Sequence, residues 1–325
     1  MNPTRSVTYV DFGRLRQPHP FVAMVPQWDL LNLLADAAQE EPTFTLRMNT
    51  EATDLMREGG KVTGVRYRGP DGPGELRAEL TVACDGRWLM ARRAAGLPSR
   101  EYPVNFDVWW FRLPRDGDQE FSFLPRVGPG KALGVIPREG YNQIAYLGAK
   151  GSDAQLRATG IEAFRRDIGA LLPESAGAVG TLRSMDEVKH LDVRVDRLLR
   201  WHTDGLLCIG DAAHAMSPLG GVGINLAVQD AVAAATILAE PLRAHRVTDR
   251  DLAAVRRRRL VPTAVTQGVQ RCLQRGLGPL LRGADPTPPA ALLAVLRRLP
   301  WLSFVPAYFI GVGVRPERAP AFARR

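Results

Sequence analysis

Residues 205–238 have the sequence GLLCIGDAAHAMSPLGGVGINLAVQDAVAAATIL. The apolar run at residues 206–209 predicts a buried strand, and a long apolar helix is predicted from about Ile224. Between them lie a carboxylate, Asp211, and a glycine-rich loop. Glycines let the backbone approach a ligand closely, and the first turn of a helix offers free N–H groups at its positive end. The stretch therefore predicts a strand–turn–helix site for a large polar cofactor with an electron-rich edge.

This order of residues resembles the second flavin-binding motif of the FAD-dependent aromatic hydroxylases, the group A flavoprotein monooxygenases typified by para-hydroxybenzoate hydroxylase. The resemblance is carried by Gly210, Asp211, Ala212, Ala213, His214, Pro218, Gly221, Gly223, Asn225 and Asp230. It implies that Asp211 binds the ribityl chain of FAD and that residues 218–225 lie along the isoalloxazine ring. The cofactor-binding residues implied in this motif are Gly210, Asp211, Pro218, Gly220, Gly221, Val222, Gly223, Ile224 and Asn225.

A second motif, CDGRW at residues 84–88 followed by Arg92, resembles the family's D-G-x-x-S-x-x-R pattern. Asp85 stands at the end of a predicted strand, where it can cap the next helix. Arg92 lies further along that helix and is expected to reach a phosphate. The resemblance implies that Asp85 contributes to the flavin site. Leu89 occupies the serine position of the pattern, which weakens any inference about nicotinamide binding.

Gln27 begins a helix predicted over residues 27–39 and aligns with an Arg or Gln that contacts the flavin in this family. A complete dinucleotide-binding domain opens with a strand, G-x-G-x-x-G and a helix. That segment is not in this sequence: the glycines at 220–223 and 311–313 have neither its spacing nor its context. We therefore expect weak FAD binding. We also expect the strand at residues 206–209, beside which the first strand would lie, to form an exposed apolar edge.

The expected fold class is α/β, with an incomplete, Rossmann-like FAD-binding domain that lacks its N-terminal βαβ unit. Strand-like runs without long helices between them predict an antiparallel sheet at residues 106–113, 120–124, 132–137 and 143–147. Further extended runs are predicted at residues 43–48, 52–58 and 61–68, and a helix at residues 160–172. The expected division is an FAD-binding domain at 1–98 and 181–244, a substrate-binding β-sheet domain at 99–180, and a helical C-terminal region at 245–325 with a loop at 285–289.

The charge and composition of the chain limit the classes of partner that we expect it to bind. The net charge is +9, but the arginines are scattered and no recognition-helix or basic-aromatic pattern is present, so we expect no nucleic-acid partner. The apolar tail at residues 299–314 is too short to span a membrane and is interrupted by Pro306. It is expected to pack in the core or at a protein interface rather than on a membrane.

Metal and disulfide chemistry are not expected. Asp211 and His214 have no further ligand at useful spacing, so no metal site is predicted. Three widely spaced cysteines, Cys84, Cys208 and Cys272, and the lack of a signal peptide indicate buried thiols in a reducing cytoplasm. The oligomeric state is left open.

The resemblance implies an FAD-dependent monooxygenase. NADPH or NADH would reduce the flavin, O2 would add to give a flavin hydroperoxide, and one oxygen atom would pass to a small organic substrate, aromatic in the type member. The cofactor carries this chemistry, so no side chain is predicted to be an acid–base catalyst. Two alternatives stay open: a flavin-dependent reductase or dehydrogenase without oxygen insertion, and an inactive fragment that does not retain FAD.

Overall fold

The structure of the chain is a computed structural model that describes residues 8–88, 90–115, 126–128, 130–281 and 297–323. The strand predicted at 120–124 and the loop predicted at 285–289 lie outside these residues, as does Leu89. The strands are β1 (Glu51–Glu58), β2 (Lys61–Gly69), β3 (Gly72–Arg77), β4 (Thr81–Ala83), β5 (Ser99–Tyr102), β6 (Phe106–Pro114), β7 (Arg126–Gly128), β8 (Lys131–Pro137), β9 (Tyr141–Ala149), β10 (Lys189–Leu191), β11 (Val195–Leu198), β12 (His202–Thr203) and β13 (Leu206–Cys208).

The helices complete a mixed α/β fold, as the sequence predicts. They are α1 (Gln27–Gln39), α2 (Met90–Ala94), α3 (Asp153–Ala158), α4 (Gly160–Leu171), α5 (Ala176–Val179), α6 (Asp211–His214), α7 (Gly223–Arg243), α8 (Asp249–Leu281) and α9 (Phe304–Gly311). Short 3-10 turns at Phe12–Arg14, Gly86–Trp88 and Pro300–Ser303 also border the sites described below.

The largest sheet is antiparallel, with strand order β10-β6-β9-β8-β7. Side chains alternate between its two faces, as in any strand. One face packs Trp109, Phe111 and Ile144 against Phe164 and Ile168 of α4 in a buried cluster. The opposite face carries a second cluster. The strands predicted at 106–113, 132–137 and 143–147 and the helix predicted from residue 160 are therefore confirmed.

The strand that precedes the glycine-rich turn sits in a small sheet of order β12-β13-β4. β13 pairs in parallel with β4 and antiparallel with β12, to which it is joined by the tight turn at Asp204 and Gly205. The expectation that residues 206–209 form an exposed edge is therefore wrong, because this hairpin fills one side and β4 the other. Within the described residues the edges of this sheet belong to β12 and β4, and Val82 of β4 is 42% exposed.

The meander β1-β2-β3 turns at Gly59 and Gly60 and at Pro70 and Asp71, close to the positions that the sequence indicates. The strand predicted at residues 43–48 is wrong. This segment pairs with no strand in the described part of the chain and leaves Phe44 43% and Met48 68% exposed. Without backbone partners an extended run forms no sheet.

α1 has the bounds predicted for it, Gln27–Gln39, but none of its residues is buried, and Trp28 is 70% exposed. In contrast, α9 is packed: Ala307 is fully buried, and Ile310 contacts the cluster of Met216, Val222 and Leu226. Part of the apolar tail thus contributes to the core, as expected. None of the helices in the described residues has the length and apolar character required to span a bilayer.

Candidate functional site

The two motif carboxylates lie at neighbouring strand ends. β4 and β13 run parallel in register, and the Ile209 N–H donates to the Ala83 carbonyl at 3.1 Å. Asp85 follows β4 and Asp211 follows β13, so both lie at the same edge of the sheet. The Asp85 Oδ2 accepts the Ala91 N–H at 2.9 Å, which confirms the predicted helix cap. Its Oδ1 is buried and has no hydrogen-bond partner among the described residues.

Arg87 joins the two motifs, a role that the sequence analysis missed. Its Nε lies 3.3 Å from Asp211 Oδ2, its Nη2 donates to the Met216 carbonyl at 3.3 Å, and its Nη1 to the Asp192 carbonyl at 3.5 Å. The Asp211 side chain remains 35% exposed. It can therefore still accept a hydrogen bond from a ligand hydroxyl while Arg87 fixes its orientation.

Arg92 does not have the role expected of it. Its guanidinium is buried and makes a bidentate ion pair with Asp196, at 2.7 and 3.0 Å. A guanidinium that is paired and buried in this way ties α2 to β11 and is not free to reach a phosphate. The only sequence signal for this partner was an aspartate in the apolar run around Val195, far from the motif.

The loop after α6, residues 215–222, is here called the site loop. Its carbonyl groups are held from one side by two buried glutamines of α8. Gln267 Nε2 donates to the Ala215 carbonyl at 3.0 Å. Gln270 Nε2 donates to the carbonyls of Ser217 and Leu219 at 2.8 and 2.9 Å. With Arg87 on Met216, these bonds fix the course of the loop through its carbonyls; within the loop, the N–H groups of Leu219 and Gly221 donate to Ser217 Oγ and to the Pro218 carbonyl.

The other side of the loop is open. Gly220 and Gly221 have φ values of +83° and +63°, and a Cβ built on Gly221 would meet nothing within 4 Å. No side chain caps the start of α7, and its first turn contains no acidic residue. Ile224 and Asn225 are exposed. The unblocked first turn of α7 therefore offers N–H donors and the positive end of a 21-residue helix to an electron-rich group.

These features fit FAD on two separate counts. The orphan Oδ1 of Asp85 and the exposed carboxylate of Asp211 can accept hydrogen bonds from hydroxyl groups. The glycine turn and the uncapped helix can donate to the edge of a flavin ring. Gln27 is exposed at the start of α1, and no hydrogen bond in the described residues joins it to this group. The structure thus brings together Asp85, Asp211 and the site loop, and it leaves Gln27 apart.

Behind the turn at Gly210 lies a buried hydrogen-bond network around Asp230, whose partners the sequence did not indicate. Asp230 of α7 is fully buried, and its Oδ2 accepts the Gly210 N–H at 3.1 Å and lies 2.5 Å from His214 Nε2. Its Oδ1 accepts from Arg259 Nε at 2.8 Å. Burial alone would raise the pKa of Asp230, but His214 and Arg259 outweigh that effect, and the pKa is lowered. His214 therefore faces a carboxylate partner rather than the position of Asp211.

Glu317 extends this network from the far end of the described chain. Its side chain is 4% exposed and lies 2.6 Å from Arg258 Nη2 and 3.5 Å from Arg259 Nη1. The guanidinium of Arg259 is fully buried between Asp230 and Glu317. Two carboxylates from separate segments thus share one cation, which ties residues near 317 to the turn at Gly210.

The site loop meets the large sheet at Leu219, which packs against the buried cluster that contains Phe106, Val108 and Ala145. The register places Trp110 opposite Ala145 and Arg112 opposite Gln143 on this same face. Trp110 and Gln143 are half-buried and Arg112 is exposed. An aromatic and polar sheet surface therefore lies next to the loop and provides a wall for a flat organic molecule.

Comparison with known proteins agrees with this geometry. The model of the family described as "FAD binding domain" matches residues 2–269. The chain is 36% identical to 6-methylpretetramide 4-monooxygenase of Streptomyces rimosus over 82% of its own length and 64% of that protein. It is 32% identical to digeranylgeranylglycerophospholipid reductase 2 of Methanothermobacter thermautotrophicus, over 67% of the chain and 55% of that protein.

Among solved structures, the anhydrotetracycline hydroxylase from Streptomyces rimosus superposes with a TM-score of 0.71 at 20% identity. The match covers 97% of this chain and 62% of that one. At this identity the likeness establishes the fold alone. The chain spans less than two thirds of the length of each of these three proteins.

Proposed function

Because the chain belongs to the FAD-binding family of aromatic hydroxylases, we propose that it acts as an FAD-dependent monooxygenase, with NADPH or NADH as reductant and O2 as co-substrate. The observation that supports this most strongly is the position of the site loop. Its carbonyls are tied to Gln267 and Gln270, its open turn leads into α7, and its Leu219 packs on the large sheet. A flavin on this loop would lie beside the sheet face that carries Trp110.

In this proposal Asp85, Gly210 and Asp211 bind the polar chain of FAD, and Gln27 contributes from α1. The flavin ring lies along Pro218, Gly220, Gly221, Val222, Gly223, Ile224 and Asn225. When bound, FAD supplies the transfer of electrons and the activation of oxygen. The protein's own groups bind and orient: the first turn of α7 stabilises negative charge at the ring edge, and the packed Leu219 excludes water between loop and sheet.

The domain division expected from the sequence belongs to the same proposal. Residues 1–98 and 181–244 would form the Rossmann-like FAD-binding unit, which the parallel pair of β4 and β13 supports. Residues 99–180 would form the substrate domain and residues 245–325 the helical C-terminal region. The cysteines are free, which supports a reducing cytoplasm as the compartment, but the expectation that all three are buried is wrong: Cys208 is buried, whereas Cys84 and Cys272 are exposed. The name of the Streptomyces relative suggests a polycyclic aromatic substrate.

The first test is FAD binding. When the purified chain is titrated into FAD, the flavin fluorescence should fall to a plateau, with one FAD bound per chain. Gly221→Ala should weaken binding about tenfold or more, since the Cβ enters the surface offered to the ring. Gly59→Ala is the matched control: its φ is +55°, its surroundings are equally open, and the backbone strain is similar. Equal effects of the two substitutions, or no FAD binding by the parent chain, would contradict the proposed site.

The second test is the fate of oxygen. Incubation with FAD, NADPH or NADH, ¹⁸O2 and a polycyclic phenol should give a product that contains one ¹⁸O atom. The 32% identity with a phospholipid reductase favours a second candidate, a flavin-dependent reductase. That activity would give a product with two added hydrogens and no ¹⁸O. If hydrogen peroxide were the only product, neither the monooxygenase nor the reductase activity would be supported.

A further inference from the structure

A separate cavity of about 540 Å³ lies on the opposite side of α9 from the site loop. It is lined by Arg14, Arg16, Gln17, Trp301, Phe304 and Tyr308. Phe304 and Tyr308 are one helical turn apart and therefore share a face of α9. Ile310, in contrast, packs on Met216, Val222 and Leu226. The cavity volume falls within the range of sites that hold small molecules.

Two segments far apart in sequence are joined to make this cavity. The Asp11 N–H donates to the Ser303 carbonyl at 3.2 Å. A Cβ on Gly311 would meet Leu15 Cδ1 at 3.2 Å, so α9 and the turn at Phe12–Arg14 are in close contact. Asp11 also holds Arg14 by an ion pair at 2.9 Å. The walls are therefore set by contacts within and between these two segments, none of which involves the site loop.

The chemistry of the lining is cationic and aromatic. Arg14 is paired with Asp11, but no ion pair joins Arg16 to any residue in the described part of the chain. The rings of Phe304 and Tyr308 are 5.5 Å apart, and Trp301 is 55% exposed. A guanidinium binds carboxylate oxygens with its forked N–H groups, and aromatic rings stack on flat apolar surfaces. One uncompensated cation beside three rings selects for a flat anion.

We propose that this cavity binds a planar aromatic carboxylate. The carboxylate lies on Arg16, with Arg14 as the second cation, and the ring system packs on Trp301, Phe304 and Tyr308. The site is distinct from the proposed flavin site, because α9 stands between the two. Since the far face of α9 packs on Val222 and Leu226, an occupied cavity would also restrain the helix that supports the site loop.

The test is calorimetric titration of the full chain with 2-naphthoate, without FAD or reductant, so that failure to bind flavin leaves the measurement intact. We expect saturable binding at one site. The neutral 2-naphthylmethanol should bind about tenfold more weakly, as should Arg16→Gln, because a charge-assisted hydrogen bond is lost. Trp301→Leu should weaken binding about fivefold through loss of ring contact.

Arg68→Gln is the control for the general attraction of a basic protein for anions, because Arg68 is exposed on β2 and does not line the cavity. It should leave the Kd of 2-naphthoate unchanged. All substituted residues are exposed, and circular dichroism checks that each variant is folded. No saturable binding at millimolar 2-naphthoate, equal binding of the neutral analogue, or equal effects of Arg16→Gln and Arg68→Gln would overturn the proposal.

Discussion

Two buried carboxylates, those of Asp230 and Asp107, are each stabilised in the ionised form by hydrogen-bond donors, in different parts of the molecule. Asp230 of α7 accepts from Arg259, His214 and the Gly210 N–H. Asp107 of β6 accepts from Lys150 Nζ at 2.7 Å and from the N–H groups of Gly151 and Val193 at 2.9 and 3.0 Å. Burial would raise the pKa of either carboxyl, yet these partners keep both pKa values lowered.

The two aspartates differ in the parts of the molecule that supply their hydrogen-bond partners. Those of Asp230 are the turn of the candidate flavin site and a helix from the distant end of the chain. Those of Asp107 are the residues that follow β9 and the segment that leads to β11, at one end of the central strands β6 and β9 of the large sheet. Equal burial and equal charge therefore do not imply an equal role, and each prediction below separates stability from cofactor binding.

The largest effect is expected for Asp230→Asn. The substitution removes the carboxylate nearest to the buried guanidinium of Arg259 and leaves it only Glu317, at 3.5 Å. Removing one partner of a buried ion pair costs about 3–5 kcal/mol. The free energy of unfolding in urea should fall by that amount, and FAD binding should be lost. The double variant Asp230→Asn, Arg259→Met should recover part of the stability. If the double variant were no more stable than the single one, the pairing would not be the cause.

Asp107→Asn should destabilise the chain by less, about 1.5–3 kcal/mol, the range for a hydrogen bond to a charged group. Lys150 keeps a second carboxylate, Asp192, at 2.6 Å. The decisive measurement is the Kd of FAD at a temperature where the variant is folded. We expect it to equal that of the parent. A large increase in this Kd would show that this end of the sheet contributes to the flavin site.

Gln270→Met should cost about 1–3 kcal/mol, because it removes the donor from the buried Ser217 carbonyl and from the partly buried Leu219 carbonyl. FAD binding should weaken with it. Gln274→Met is the matched control on the same helix: Gln274 is also buried, but its Nε2 has no hydrogen-bond partner among the described residues. The idea that α8 orders the loop fails if the two variants have the same FAD affinity.

The smallest expected effect is that of pH on the free energy of unfolding near neutrality. Both aspartates have lowered pKa values in the folded chain, so their contribution is complete above the unfolded value of about 4 and is lost as pH falls through the folded pKa. Stability should be insensitive to these groups between about pH 6 and 8 and should decline below about pH 4. Asp107→Asn should flatten that acid decline, which equilibrium unfolding at stepped pH measures. An unchanged slope would contradict the assigned pairing.

Patterns within short segments of the sequence predicted the secondary structure of those segments. The strand, the turn and the first residues of α7 were set by apolar runs and glycines, and α1 begins and ends where its periodicity indicates. Partners distant in the chain were not predictable. Arg92 and Asp196 are 104 positions apart, and the sequence around either residue does not indicate that the other is its partner. The same holds for Gln267, Gln270 and Glu317, whose roles depend on how α8 crosses the site loop.

The two wrong strand predictions have one cause. An extended run at residues 43–48 and an edge at residues 206–209 were inferred from sequence within each segment. Pairing is decided by neighbours: β12 covers one side of β13, and no strand in the described chain reaches residues 43–48. Backbone hydrogen bonds between strands are a property of the folded chain as a whole.

The contact of Glu317 with Arg259 also sets an order of events during synthesis. Asp211 leaves the ribosome 106 positions before Glu317, which at about 5–20 residues per second is a delay of roughly 5–20 seconds. Arg259 follows Asp211 by 48 positions, so the turn at Gly210 lacks Arg259 for the first part of that interval and lacks Glu317 until its end. The complete set of ion pairs behind the turn at Gly210 therefore forms only after residue 317 has been added.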